Sequence, residues 1–229
     1  MDTAVGAPSD APKLPFSPIP GARLAAAAAG IRYRDRDDLV LVELSPGAAC
    51  AATFTRNAFC AAPVTVARAH LAAGRPRWWL VNAGNANAGT EPRGLADARA
   101  TCEALARLTG APPEQVLPFS TGVIGEHLPV GRITAALPAL VADLDPNGWP
   151  RAARAIMTTD TVPKLVSRQF QVGGRTATLT GMAKGAGMIC PDMATLLAFL
   201  ATDAAVEPAL LQGLLGRAVD VSFNAITVD

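Results

Sequence analysis

Residues 184–200 read KGAGMICPDMATLLAFL: a lysine heads a glycine-rich turn that runs through Pro191 to a single threonine, Thr195, and then into an apolar run. A lone hydroxyl at the junction of a tight turn and a buried element suits one demanding chemistry. The Thr195 oxygen attacks the carbonyl of Ala194, the chain breaks, and the freed Thr195 becomes a nucleophile whose own α-amine is its base. Such an amine has a reference pKa of about 8, which fits a base working near neutral pH. A Gly/Pro loop entering a core strand or helix is the commoner use of the pattern. The residue types alone leave both readings open.

Other chemistries fit less well. The two histidines, His70 and His127, show no metal-ligand spacing, so a zinc site is disfavoured and a Ser-His-Asp triad is hard to build. The cysteines at 50, 60, 102 and 190 contain no CxxC pair and are expected to be buried free thiols. Cys190 precedes Pro191 in the turn and is not taken as a nucleophile. A net charge of +1, no basic run and one tyrosine argue against a nucleic-acid groove. No stretch reaches the roughly 18 uninterrupted apolar residues of a membrane span. The alanine-rich residues 24–31 lack the basic flank of a leader and read as core. A cytoplasmic protein without metal or resident cofactor is expected.

The elements that must position these groups are partly visible. Residues 1–22, with Pro12, Pro15, Pro18 and Pro20, read as a mobile or extended arm. Short β-type runs fall at 38–44 (DLVLVEL), 51–55 (AATFT), 63–67 (PVTVA) and 78–82 (WWLVN). Helical spacing marks 95–108, with 133–144 and 149–157 as further candidates. Residues 169–180 read as a hairpin turning at Gly173-Gly174. Residues 196–202 suit strand or helix, and 208–222 form an amphipathic helix. Strands and helices intersperse without strict alternation, so an α+β layered fold is expected over a doubly wound one. With 229 residues, half of them hydrophobic, a sizeable core is within reach.

Several ordered stretches carry a resemblance. KGAGMICPDMATLLAFLATDA resembles the cleavage region of the ornithine acetyltransferase family, enzymes of arginine biosynthesis similar in strategy to N-terminal-nucleophile hydrolases. VNAGNANAGT, STGVIGE, IMTTDTVPK and SFNAITVD match the same family in the same order, as does TFTRNAFCAAPV. The resemblance implies an α/β sandwich with mixed sheets, like that of N-terminal-nucleophile aminopeptidases. It also implies acetyl transfer from N2-acetyl-L-ornithine to L-glutamate through an acetyl-threonine at Thr195. Acetyl-CoA as a further donor is left open. Cleavage between Ala194 and Thr195 would divide the chain into a first subunit region, 23–194, and the start of a second, 195–229. The final SFNAITVD matches a family segment that continues, so the chain is read as an N-terminal part with its second subunit incomplete. The complete assembly would hold two chains of each kind.

By the same resemblance, Thr121 and Gly122 are the oxyanion-hole pair, and Thr158 and Lys184 bind substrate together with Thr195. These residue types suit the roles. Glycine lets backbone approach closely, a threonine hydroxyl donates, and a lysine neutralises a carboxylate. Thr159 and Asp160 beside Thr158 leave the choice of threonine open by one position. The asparagines of VNAGNANAGT are as compatible with a structural loop as with ligand contact. Asp192 departs from the small or amide-bearing residue expected there, and a carboxylate so near the nucleophile would raise the amine's pKa. Two other readings remain: an amidase or aminopeptidase of similar strategy, and a non-catalytic remnant.

Overall fold

The computed structural model describes residues 15–185 and 196–226. Two sheets organise it. The first runs β1 (Ala22–Ala27), β2 (Leu39–Leu44), β3 (Trp78–Asn85) and β4 (Val116–Val123) in spatial order. Its first three strands pair antiparallel, while β3 and β4 pair parallel. The second holds β5 (Lys164–Val172), β6 (Arg175–Lys184) and β7 (Leu197–Thr202), all antiparallel. Five helices accompany them: α1 (Ala62–Ala73), α2 (Glu91–Thr109), α3 (Val130–Ala142), α4 (Trp149–Ala155) and α5 (Pro208–Asp220).

Period-two alternation sorts the first sheet's side chains into two cores. Leu39, Leu41, Trp78, Leu80 and Val116 face α2 and α3, meeting Ala98, Cys102, Leu105, Ile133 and Leu137. Val40, Val42, Trp79, Val81 and Leu117 face the other way, onto Trp149 and Ile156 around α4 and onto Met182 and Phe199 of the second sheet. The order is therefore helices, mixed sheet, then α4 with the second sheet. This is the α+β sandwich expected. Burial on both faces also explains why LVLV (39–42) and WWLV (78–81) read as unbroken apolar runs.

Four local expectations need correction. PVTVA is not a strand; it starts α1, with Pro63 in the first helical turn where its missing N–H costs nothing. Residues 51–55 form no strand, because Ala52 spends its N–H and C=O on the Gln212 side chain of α5. Two strands were unforeseen. β1 is alanine-rich and β-poor by propensity, yet pairing with β2 and close packing under Gly148 hold it extended. β4 contains Pro118 and the Ser-Thr-Gly step that resembles a turn. Of residues 196–202, Leu197–Thr202 are strand. Near the amino end, Ser17 is tied to the second sheet through Ser167 and Thr180, and Ile19 is 2% exposed.

Candidate active site

Three residues distant in sequence converge where the two sheets meet. Thr121 lies on β4, Thr158 in the loop between α4 and β5, and Lys184 is the last residue of β6. Lys184 Nζ donates to Thr121 Oγ1 at 3.0 Å and to Thr158 Oγ1 at 2.7 Å. Thr158, not Thr159, is thus the threonine brought to the lysine. Lys184 is 3% exposed and Thr121 4%. Burial pushes the Lys184 ammonium below the usual lysine range; the Asp160 charge opposes this and Lys164 adds to it.

The donor arithmetic of this cradle is informative. An ammonium has three donors and no acceptor, whereas a hydroxyl has one donor and two acceptor lone pairs. Both threonine oxygens therefore accept from protonated Lys184, and each keeps its own O–H to donate elsewhere. Two of the lysine's N–H groups are committed and the third has no partner among the described residues. Three donors are thus available to an oxygen-rich ligand.

Gly122, next to Thr121, shows why a glycine is needed there. It pairs with Gly84 at an irregularity in the β3–β4 register, and its φ is +137°. A Cβ on Gly122 would overlap the Gly84 carbonyl carbon and stand 2.5 Å from Asn85 N. The strands touch backbone to backbone at the position for which the family resemblance implies an oxyanion hole.

The asparagine loop buttresses this edge. Ser120 donates to Asn82 Oδ1 (2.6 Å), Asn82 Nδ2 to Asn85 O (2.8 Å), and Asn85 Nδ2 to the carbonyls of Glu126 and His127, each at 3.1 Å. Asn87 donates to Gly94 O at 2.9 Å and accepts from Thr90 at 2.8 Å. Its partners are local, as a structural loop requires.

Ala194 and Thr195, with Cys190 and Asp192, lie outside the described residues. What sequence reasoning overlooked is Asp160, whose carboxylate bonds Lys164 and two backbone N–H groups beside the cradle. An Asp and a Lys four apart around Pro163 were the available signal. Of the thiols expected to be buried, Cys102 is, whereas Cys50 and Cys60 are half-buried; burial pushes Cys50 up to about 11 and Cys102 up to about 12. A separate open groove of about 540 Å³, lined by Pro18, Arg23, Glu43 and Arg77 among others, includes none of the cradle residues. Among the described residues no group of three His, Cys, Asp or Glu could hold a metal, and no helix is long and apolar enough to cross a membrane.

Residues 23–229 match the ArgJ family. The chain belongs to that family. A bifunctional arginine-biosynthesis ArgJ protein of Methylococcus capsulatus is 61% identical over 212 residues, covering 93% of this chain. The chain spans 52% of that relative's length. Two crystal structures share the ArgJ fold. The bifunctional ArgJ protein of Bacillus halodurans is 36% identical with a TM-score of 0.72, over 78% of this chain and 92% of that one. An ornithine acetyltransferase of Mycobacterium tuberculosis, solved with ornithine, is 38% identical with a TM-score of 0.67, over 79% and 94%. The ArgJ match covers every cradle residue.

Proposed function

We propose that this chain supplies the nucleophile-bearing part of an acetyltransferase that moves the acetyl group of N2-acetyl-L-ornithine to L-glutamate. The observation that carries the reading is the buried ammonium of Lys184 between two threonine hydroxyls, at the strand end from which the chain proceeds to Thr195. In this scheme the Thr195 hydroxyl first attacks the Ala194 carbonyl, shifting the acyl bond from nitrogen to oxygen. Water then hydrolyses that ester and frees the α-amine. Residues 23–194 and the segment starting at 195 become separate subunit regions, and the complete assembly pairs two of each.

The freed amine takes the Thr195 proton as the hydroxyl attacks the acetyl carbonyl. The oxyanion is met by the Thr121 hydroxyl and the Gly122 backbone, and ornithine leaves carrying the proton. Glutamate's amine then attacks the acetyl ester by the reverse route. Lys184 and Thr158 hold the α-carboxylate that both amino acids share, which explains how one pocket serves donor and acceptor in turn. Acetyl-CoA would be a second acetyl source for the same threonine.

Mass spectrometry of the full-length protein tests the first half. Two pieces meeting at Ala194/Thr195 are expected from wild type, one from Thr195→Ala, and slow conversion from Thr195→Ser. Labelled acetylornithine tests the second: label should reach glutamate, and label found only in free acetate would instead mark an amidase. An intact, folded wild-type chain would refute the cleavage.

A further inference from the structure

Asp160 has no role in the proposed reaction and yet bonds both the loop that carries Thr158 and the backbone that follows Lys184. Its side chain is fully buried, while that of Lys164, its ionic partner at 2.6 Å, is 43% exposed. Oδ1 also accepts from Gly185 N at 2.8 Å, and Oδ2 accepts from Thr158 N at 3.3 Å. Thr158 is one wall of the lysine cradle. Gly185 follows Lys184 directly and is the last described residue before the stretch that contains Ala194 and Thr195.

A local turn would account for the bond to Thr158, two residues away. It does not account for the bond to Gly185, twenty-five residues along the chain. Surface ion pairing explains it no better, because such pairs contribute little and do not need a buried carboxylate gripping two backbone amides. Both backbone donors are half-buried, so a replacement whose acceptors cannot reach the two together leaves Gly185 N, Thr158 N or both without this partner.

We infer that Asp160 is a positioning residue: one carboxylate locks the backbone of Thr158 to that of Gly185, setting at once the width of the Lys184 cradle and the direction in which the chain enters the cleavage segment. The inference rests on the proposed reading of that segment. A shift of about 1 Å in such a geometry costs on the order of 10²-fold in rate. Loosening the clasp therefore slows self-cleavage and, in molecules that have already been cleaved, weakens amino-acid binding. The two effects come from one residue.

The test uses the full-length protein with Asp160→Asn, Asp160→Glu, Lys164→Met and Thr195→Ala. Asp160→Asn should slow cleavage about 10- to 100-fold, and the cleaved fraction should show a KM raised about 10-fold with a smaller change in kcat. Hydrogen exchange should quicken in peptides holding residues 158 and 185 and stay unchanged in α2. Asp160→Glu, which keeps the charge but moves it, should recover only part of the cleavage rate. Lys164→Met, which leaves the backbone clasp in place, should cleave within about 3-fold of wild type, as expected for loss of an exposed ion-pair partner.

Wild-type cleavage, KM and exchange in both Asp160 variants would overturn the inference. So would Lys164→Met slowing cleavage as much as Asp160→Asn, since the ion pair would then be the active element. An Asp160→Asn chain unfolded by circular dichroism would make the residue a general stability element and would likewise overturn it. Thr195→Ala separates the two levels. If that variant is still cut, the functional reading fails, while the exchange measurement continues to judge the clasp by itself.

Discussion

Replacing Lys184 by methionine keeps an unbranched stem, one atom shorter, and removes the three donors. Two consequences follow from the cradle. The third N–H, free to meet a ligand carboxylate, is lost; a hydrogen bond to a charged group is worth about 1.5–3 kcal/mol, so KM should rise about 10- to 150-fold. The Thr121 oxygen also loses the donor that directs its own hydrogen outward. The hydroxyl remains but can turn away, and complete loss of an oxyanion donor costs about 10²–10³ in rate. A fall in kcat approaching that range is expected, measured as initial rates of acetyl transfer by cleaved, full-length enzyme. Wild-type pH dependence supplies an independent check. The folded-state pKa of Lys184 is lowered by burial, so its charge is lost as pH rises through that lowered value, before an exposed lysine would titrate. KM should climb on that alkaline limb in wild type and stay flat in Lys184→Met. Stability has the opposite slope there: the unfolded chain holds the proton up to about 10.4, so folding becomes more favourable between the two values. Kinetic constants within about 3-fold of wild type in Lys184→Met would refute the cradle argument, since even the weakest charged hydrogen bond exceeds that change.

Gly122→Ala should destabilise the fold by at least about 2–3 kcal/mol, because a left-handed φ alone costs about 1–2 and the new Cβ overlaps the facing backbone. Urea titration of the isolated chain measures this, and a loss below about 1 kcal/mol would count against the close strand contact. Asp38→Ala should cost about 3 kcal/mol or more by the same measurement, because its fully buried carboxylate accepts from the backbone N–H of Ala29, Ile31 and Arg32, and each donor left unpaired costs about 1–3 kcal/mol. A near-neutral result would mean that those amides find water.

The sheet-and-helix alternation was legible where burial and pattern agree. Trp78 to Val81 are apolar on both faces because both faces are covered, and α2 shows its 3.6-residue spacing at Ala98, Cys102 and Leu105. It was not legible where tertiary contact overrules local preference. The alanines of β1 are held extended by β2, and the valines that open α1 follow a proline that fits a helix start better than a strand. The cradle was reached through motif resemblance, which named Thr121, Thr158 and Lys184 but said nothing of how they touch. That the lysine feeds both threonines, and that Asp160 holds two of the segments together, depends on contacts spanning 63 and 25 residues. No local pattern encodes such contacts.

The facing glycines of β3 and β4 also limit how this protein can change over generations. A side chain at 122 collides with main-chain atoms of Gly84 and Asn85, so no substitution at those neighbours can clear room for it. A side chain at 84 runs into the Cβ of Arg32, an atom that every residue except glycine carries. Replacing Arg32 by glycine would clear the contact at 84, but no exchange of a side chain clears position 122. New substrate preferences, whether selected in nature or in the laboratory, must therefore arise from the surrounding loops and from the residues lining the pocket. The Gly122 contact itself is closed to side chains, and adaptive paths through sequence space have to route around it.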